Sequence, residues 1–556
     1  MRVLSAAEMQ ACDRLTTERF GVPSLQLMRN ASAAVAAFAQ GQFPQAKRVT
    51  VICGRGNNGG DGMMTARLLA DAGLAVAVLL LGTPDALKGD AAAAWQELQT
   101  AGSCRIGVIE TEADFASHAA ALNADLMVDA VLGTGFRPPM NGLALAALGW
   151  LKASAAQMLA VDLPSGWPAD ETHGRPGTPV YPADAVITFT APKPAHVFGE
   201  LTRRWDQPIV VAQIGSPDEA MTSELGTAWA GSAQSLFHAP RKADANKGSF
   251  GHVLVVGGSF GSAGGKAGAP AMTSLAAMRA GAGLVTAAVP APALPVISGF
   301  APELMTWPLK ATDAGEISAE NLTSEGLATL TKGISVLAVG PGMGQSRDAR
   351  KFQTFLLFGT KMPVVIDADG LNNLAASDLS PSSNFLEELT KDGRTVVLTP
   401  HPGEMGRLAG MATAQIQADR LNVARSFALH HRVTLVLKGA RTLIAHPDGS
   451  VAVNTSGNPG MAKGGSGDLL TGVIAAFLAQ YKEDPARAVE AAVFLHGLAA
   501  DLAVRETDEH TLLATDSLAK FSQAFRFRSR RENGYVWLQG MPAEKSTAKC
   551  SREAAE

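Results

Sequence analysis

Five glycines and one carboxylate are packed into the run Asn454-Thr-Ser-Gly-Asn-Pro-Gly-Met-Ala-Lys-Gly-Gly-Ser-Gly-Asp468, directly ahead of an apolar helical pattern that starts at Leu469. Gly464, Gly465, Ser466 and Gly467 let backbone N–H groups crowd around one point with little side chain in the way. Those amides fall where the next helix begins, at the positive end of its dipole. Such an anion hole suits a phosphoryl group that gains negative charge during transfer. Asp468, in the first turn, is placed to take a proton from an attacking hydroxyl. The plainer alternative is a flexible Gly/Ser turn with an acidic cap. A strand-loop-helix setting that ends in Asp weighs against it.

A second glycine loop lies near the other end. The strand expected at 48–53 runs into Gly54-Arg-Gly-Asn57-Asn58-Gly59-Gly60-Asp61-Gly62, which satisfies the G-x-G-x-x-G spacing of dinucleotide folds. The next strand, 74–81, is followed by Gly82-Thr83-Pro84, with no acidic residue to hold a ribose. Hydride transfer on a conventional Rossmann domain is therefore disfavoured, while the loop amides remain suited to phosphate. Two further strand ends carry small polar clusters, Asp129-Ala-Val-Leu-Gly133-Thr134-Gly135 and Asp162-Leu-Pro-Ser165-Gly166. In a parallel sheet such ends gather at one edge. There Asn58, Asp129 and Ser165 offer hard oxygen ligands to a monovalent cation, with Asp162 beside them as an acid/base. One such Asp alone reads best as a turn residue or cap; three clusters at successive strand ends make a site.

The second half repeats the logic. Gly340-Pro-Gly342-Met-Gly344, Asp367-Ala-Asp369-Gly-Leu-Asn372, Thr399-Pro-His401-Pro-Gly403-Glu404 and Lys438-Gly439-Ala440-Arg441-Thr442 each follow an expected strand. Alone, His401 reads as a helix-capping turn residue and Lys438 as a snorkelling strand-end lysine. Together they outline a phosphate-handling cleft.

These residues need two α/β frameworks. Near-continuous apolar strands at 48–53, 74–81, 125–131, 158–163, 184–190 and 208–212 alternate with helical patterns, which implies a parallel sheet covered on both faces. A second series runs from 252–257 to 442–446. The expected domains are 1–218 and 241–526, with a linker over 219–240 and an unstructured tail over 527–556. Two domains also suit 556 residues. A hydrophobic content of 47% with 18% charged residues fits a globular chain, and a net charge of −4 gives no general pull toward nucleic acid or anionic membrane. Four cysteines in no metal spacing suit a reducing cytoplasm. No signal peptide or membrane span is expected. Small-molecule partners and a homo-oligomer complete the expectation.

The first 215 or so residues resemble the NAD(P)H-hydrate epimerase domain (the YjeF N-terminal family), whose Gly56-Asn-Asn-Gly-Gly-Asp-Gly62 signature is intact. The resemblance implies a Rossmann-like three-layer αβα domain that interconverts the R and S epimers of hydrated nicotinamide dinucleotide. It places substrate binding on Asn57, Asn58, Gly59, Gly60 and Asp61 and on Gly133, Thr134, Gly135, Phe136, Arg137, Pro138 and Pro139. K+ falls to Asn58, Asp129 and Ser165, and catalysis to Asp162. Residues from about 240 to 525 are similar to the ADP-dependent NAD(P)H-hydrate dehydratase family of the ribokinase-like superfamily. Lys247-Gly248 and the runs at 399–404, 438–442 and 457–468 carry that match. It implies a ribokinase-like αβα domain with ADP on Lys438 to Thr442 and Gly467. The hydrate then lies on Ala269, Gly344, His401 and Asp468.

The implied chemistry is coherent. Hydroxide is a poor leaving group, so Asp468 would deprotonate the hydrate hydroxyl and the β-phosphoryl of ADP would transfer to it. Phosphate then leaves with help from the ring nitrogen, giving NAD(P)H, AMP and phosphate. Mg2+ is expected on general phosphoryl-transfer grounds. A vitamin or sugar kinase is the competing enzyme class, and a dimerising scaffold the competing non-enzyme. The run 399–404 and the first domain count against the kinase, and an intact Asp162 with its cation ligands against the scaffold.

Overall fold

The computed structural model describes residues 1–262, 264–376, 382–531 and 533–542, without the side chains of 382–384. The chain forms two compact units, one built from Arg2–Leu225 with the described residues from Ser529 on, the other from Gly226–Arg528.

The first unit is an eight-stranded sheet. Its strands are β1 (Arg48–Cys53), β2 (Ala75–Leu81), β3 (Arg105–Ile109), β4 (Leu126–Ala130), β5 (Gln157–Val161), β6 (Ala185–Phe189) and β7 (Ile209–Ala212), with a last strand, Tyr535–Gln539. β3-β2-β1-β4-β5-β6-β7 are parallel neighbours, and the last strand adds antiparallel to β7. β-Branched runs such as Val49 to Ile52 are buried on both faces, as helix-covered parallel strands must be. From β1 the chain builds outward to β3, then returns to place β4 on the other side of β1. The loops after β1 and β4 therefore part, and this switch point opens a crevice at the strand ends. β3 carries no clear pattern in the sequence, because it is a half-exposed edge strand interrupted by Gly107.

The second unit has ten strands in its main sheet. They are β8 (Thr227–Trp229), β9 (His252–Val256), β12 (Leu284–Pro290), β13 (Met305–Leu309), β14 (Val336–Val339), β15 (Val364–Ile366), β16 (Val396–Leu398), β17 (Thr434–Leu437), β18 (Leu443–Ala445) and β19 (Val451–Val453). A short hairpin, β10 (Phe260–Gly261) and β11 (Gly264–Gly265), stands apart. The order β13-β12-β9-β14-β15-β16-β17-β18-β19-β8 again has a switch point, between β9 and β14. β17, β18 and β19 pair antiparallel. No helix among the described residues is long and apolar enough to cross a membrane.

Two expectations need correction. The stretch expected as a linker, 219–240, contains β8, which pairs parallel with β19. Trp229 is only 1% exposed, donates from Nε1 to Thr455 Oγ1 at 2.8 Å and packs edge-on to Phe494. One buried indole outweighs the Ala/Ser/Gly composition around it. The stretch expected as an unstructured tail, 527–556, likewise begins with ordered chain. Tyr535 and Trp537 pack on Phe38, and Tyr535 Oη donates to Ala34 O at 2.8 Å. The strand Tyr535–Gln539 thereby covers the edge of β7, which would otherwise be an open pairing template. The remainder of that expectation, 543–556, lies outside the described residues.

The helix Ser466–Gln480 is buried along most of its length and crosses the helix Gly268–Arg279. Gly472 permits the approach, since a Cβ there would stand 2.1 Å from Thr273 O. Gly472→Ala gains about 1 kcal/mol of helix propensity but must push two backbones apart, at roughly 1–3 kcal/mol. The expected result is a lower denaturant midpoint together with reduced turnover, because Asp468 lies one turn away.

Candidate functional site

In the first unit the helix Asn57–Asp71 begins two residues earlier than its apolar pattern does, with Gly56 as N-cap and no side-chain cap. Its first amides therefore face the crevice. The strand-loop-helix turn closes on glycines. A Cβ at Gly54 would stand 2.1 Å from Val131 O, and one at Gly59 would stand 1.9 Å from Gly54 O. A cavity of about 970 Å3 opens here. Asn57, Asn58, Asp61, Gly133, Thr134, Gly135, Phe136 and Asp162 all line it. Gly59 and Gly60 are buried helix positions behind the wall. Arg137, Pro138 and Pro139 are exposed and stand outside the lining.

Asp162 is the most constrained residue of this wall. Its φ is +66°, in the left-handed region, and it is 7% exposed. Oδ2 accepts from Thr134 N at 2.7 Å and Thr134 Oγ1 at 2.5 Å. Oδ1 accepts from Thr188 Oγ1 at 2.9 Å and from Lys193 Nζ at 3.0 Å. Burial alone would raise its proton affinity, but the Lys193 ammonium and these donors hold the carboxyl well below the usual carboxylate range. Lys193, 2% exposed, also donates to Thr188 Oγ1 at 2.8 Å. His196 donates from Nε2 to Asp162 O at 2.7 Å and accepts at Nδ1 from Lys193 N at 3.0 Å. Burial, then Lys193, pushes its imidazole down to about 4, so it is neutral. The turn Lys193-Pro-Ala-His196 thus grips both ends of Asp162. The sequence carries one faint signal of this turn, a lysine in an apolar stretch just past a strand, within Ala191-Pro-Lys-Pro.

Further carboxylates, Asp13, Asp61 and Asp90, line the same cavity. Burial and the neighbouring carboxylates of Asp162, Asp13 and Asp90 push Asp61 well above the ordinary range. Burial pushes Asp13 up to about 6, against the pull of Lys193. Beneath the wall Asp129, 0% exposed, accepts from Ser165 Oγ at 2.6 Å and Ser165 N at 2.7 Å. Burial pushes it up to about 6, and its hydrogen-bond donors are all neutral. The buried Asn58 Nδ2 has no partner among the described residues.

In the second unit Gly465, at φ +95°, is the N-cap of the helix Ser466–Gln480. Leu469 N is the first amide to close a helical bond, onto Gly465 O at 3.0 Å. The amides of Ser466, Gly467 and Asp468 are the open helix end. Asp468 accepts no hydrogen bond within the described residues. Burial, then the Asp367 carboxylate, pushes it up to about 7, with Lys438 pulling the other way.

Asp367, at the end of β15 and 1% exposed, ties this site together. It accepts from Lys438 Nζ at 2.8 Å, Thr399 Oγ1 at 2.8 Å and Thr471 Oγ1 at 2.9 Å. Those partners open the Lys438 run, open the His401 run and lie one turn inside the Asp468 helix. Glu404 Oε2 lies 3.7 Å from Lys438 Nζ and accepts from His401 N at 2.8 Å. Burial opposes a charged Lys438, but Asp367 and Glu404 raise its proton affinity above the ordinary value. His401 caps the helix Pro402–Ala409 through Nδ1. A Cβ at Gly467 would stand 3.4 Å from Lys438 Nζ, which brings the expected nucleotide and phosphoryl residues together.

The expected hydrate residues Gly344 and Ala269 lie on the β14 and β9 side. Gly344 N donates to Asp369 Oδ2 at 3.0 Å, and Lys266 Nζ donates to the same oxygen at 2.9 Å. A Cβ at Gly342 would meet the Ala269 Cβ at 3.3 Å. Arg420 is a second residue the sequence did not reveal. Its guanidinium donates to the carbonyls of Leu437, Lys438 and Ala440 and fixes the nucleotide loop from behind.

Residues 253–523 match the family model described as NAD(P)H-hydrate dehydratase, and residues 24–195 the one described as YjeF-related protein N-terminus. A bifunctional NAD(P)H-hydrate repair enzyme of Moorella thermoacetica is 39% identical over 531 residues, which span 93% of this chain and 95% of that protein. Its namesake from Escherichia coli is 34% identical over 519 residues, 92% of this chain and 91% of that protein. The solved ADP/ATP-dependent NAD(P)H-hydrate dehydratase from Bacillus subtilis, co-crystallised with ATP/Mg2+, is 31% identical with a TM-score of 0.43. It covers 53% of this chain and 96% of its own.

Proposed function

The chain belongs to the bifunctional NAD(P)H-hydrate repair enzyme family, and from that premise we propose how its two sites divide the reaction. The protein is a bifunctional enzyme. It epimerises R- and S-NAD(P)HX and dehydrates the S epimer to NAD(P)H with consumption of ADP and release of AMP and phosphate. Epimerisation is assigned to the cavity of the first unit. Asp162 faces the hydrated carbon, and the segments Asn57 to Asp61 and Gly133 to Pro139 hold the dinucleotide. Dehydration is assigned to the second unit. Lys438 to Thr442 and Gly467 hold the nucleotide, Ala269, Gly344 and His401 the hydrate, and the amides of Gly464 to Gly467 the transferring phosphoryl group.

The observation that carries the second assignment is the bare Asp468 carboxyl at an open helix end. A group pushed up to about 7 is half ionised at neutral pH, and as a base it removes a hydroxyl proton far better than an ordinary carboxylate. Mg2+ accompanies the nucleotide. The Asp367, Glu404 and Asp468 carboxyls all act on the single Lys438 ammonium, so the wall draws positive charge, while Asp367 already accepts from Lys438, Thr399 and Thr471 and Glu404 from His401 N. With those carboxylates committed, the nucleotide phosphates would carry the ion and Asp367 and Glu404 would add their negative charge nearby, and the ion would supply charge neutralisation for the phosphates.

K+ at the first site is supported by the donor chemistry. Asp129 is a fully buried carboxylate with only neutral donors, and Asn58 has an orphaned amide that a flip would turn oxygen-first. Asn58, Asp129 and Ser165 would hold the ion. Return of dihydronicotinamide absorbance from an R/S mixture tests both assignments. With ADP and K+ the whole pool is expected back. With ADP and Na+ alone, recovery stops at the S fraction. No recovery with ADP or ATP sinks the second assignment, and unchanged recovery without K+ sinks the cation site.

A further inference from the structure

Inversion at the hydrated carbon needs a proton for the departing oxygen, because hydroxide is a poor leaving group. Asp162 is not built to give one. Its four lone-pair directions are taken up by Thr134 N, Thr134 Oγ1, Thr188 Oγ1 and Lys193 Nζ, so it stands as a buried, fully hydrogen-bonded anion. Lys193 lines the same cavity, and its three N–H bonds go to Asp162 Oδ1 at 3.0 Å, Thr188 Oγ1 at 2.8 Å and, most loosely, Phe189 O at 3.4 Å, so the last is the one a substrate hydroxyl can take over. The charged groups facing it are Asp162 and, from the helix Ala6–Glu18, Asp13. The adjoining His196 has both ring nitrogens committed to backbone and stays neutral.

We propose that Lys193 is the proton donor and acceptor of the epimerisation, with Asp162 as the fixed anion that offsets a transient positive charge on the ring. The proposal rests on the placement of the epimerisation at Asp162. An N–H bond of Lys193 breaks as an O–H bond forms on the substrate hydroxyl. The C–O bond then breaks, water leaves, and the ring nitrogen's lone pair closes a C=N bond that carries the positive charge. Solvent water adds to the opposite face, the C=N pair returns to nitrogen, and the surplus proton of the new hydroxyl goes back to the Lys193 amine. Nothing is oxidised or reduced, and each inversion exchanges one oxygen atom with solvent. Buried anion, buried ammonium and cavity thus form one device: the anion favours the cationic intermediate and the ammonium unlocks the bond that leads to it.

The test uses the full-length protein without ADP, so that the second site is idle, with the R hydrate in 18O-labelled water. Epimers are resolved chromatographically and the hydroxyl oxygen is read by mass spectrometry. The wild type is expected to incorporate one labelled oxygen per inversion. Lys193→Arg keeps a cation against Asp162 but does not release its proton at neutral pH. Inversion is expected to fall roughly 100-fold or more, with KM changed by less than about threefold. Lys193→Ala should recover in part when ethylammonium is supplied; if that variant does not fold, the arginine variant still decides. Lys193→Arg turning over at the wild-type rate overturns the proposal, as does inversion without oxygen exchange. A fast Lys193→Arg beside a slow Asp61→Asn would move the proton to Asp61 and overturn it too. Wild-type inversion by Asp162→Asn would instead overturn the placement of the site itself.

Discussion

Asp468→Asn is expected to abolish dehydration while leaving epimerisation and folding intact. Removal of a general base costs on the order of 10²–10⁴ in turnover. Here the amide also removes the carboxyl that, among the described residues, stands without a hydrogen-bond donor at the open helix end. KM for nucleotide should move little, since Lys438 and the Gly467 amide are untouched. In the wild type, activity requires the ionised carboxyl, so turnover with ADP should rise with pH through about 7 and level above it. That limb should vanish in the variant, and a limb that survives unchanged would assign the base elsewhere.

The same group makes a statement about stability. Its folded proton affinity is raised, from 3.8 to about 7, so the ionised form is disfavoured in the native state. The penalty is fully present above about 7, shrinks as pH falls, and is gone below the unfolded value near 3.8. Asp468→Asn removes it. Its thermal midpoint should therefore exceed the wild type's at pH 8 and converge with it near pH 4. Gain in stability with loss of activity is the signature of a charge kept buried for catalysis.

Much of both sites was legible because glycine and strand-end carboxylates leave local marks. The run ending at Asp468, the segment Gly54 to Gly62 and the Asp129 and Asp162 clusters were placed from spacing alone, and each stands at a strand's carboxyl end. Residues that act through tertiary contact were not legible. Lys193 looks like any lysine beside a proline until Asp162 is seen 3.0 Å away. Arg420 lies in a helix 18 residues before the loop it fixes, with no local signal. Asp367 reads as one of several strand-end residues of a phosphate-handling cleft, and only its hydrogen bonds to Lys438, Thr399 and Thr471 show that it joins three site segments. The linker expected at 219–240 and the tail expected at 527–556 fail for the opposite reason. β8 and the strand Tyr535–Gln539 are three and five residues long, and their stability comes from Trp229 and from the aromatic contacts of Tyr535 and Trp537 rather than from any pattern of their own.

Asp162→Asn has two consequences that can be separated. The first is chemical. Without the anion, recovery from an R/S mixture with ADP should stop at the S fraction and continue only at the uncatalysed rate of inversion. The second is structural. The substitution leaves the Lys193 ammonium, 2% exposed, without its counter-charge. Breaking one side of a buried pair costs about 3–5 kcal/mol, which for a unit of this size lowers the midpoint by roughly 10 °C. The wild-type carboxyl is depressed, so its contribution is full above the ordinary carboxylate range and is lost only as pH falls through its low folded value. The deficit should accordingly be large at pH 7 and smaller near pH 3. The double variant Asp162→Asn with Lys193→Met replaces the pair by neutral groups of similar size. Its midpoint should return toward the wild type's while R-epimer turnover stays absent, since the sum of the single deficits counts the broken pair twice. If the double variant melts as low as Asp162→Asn alone, the ion pair is not what stabilises this wall. Asp162 would then be retained for the left-handed turn that His196 clamps, and for the chemistry at its carboxylate.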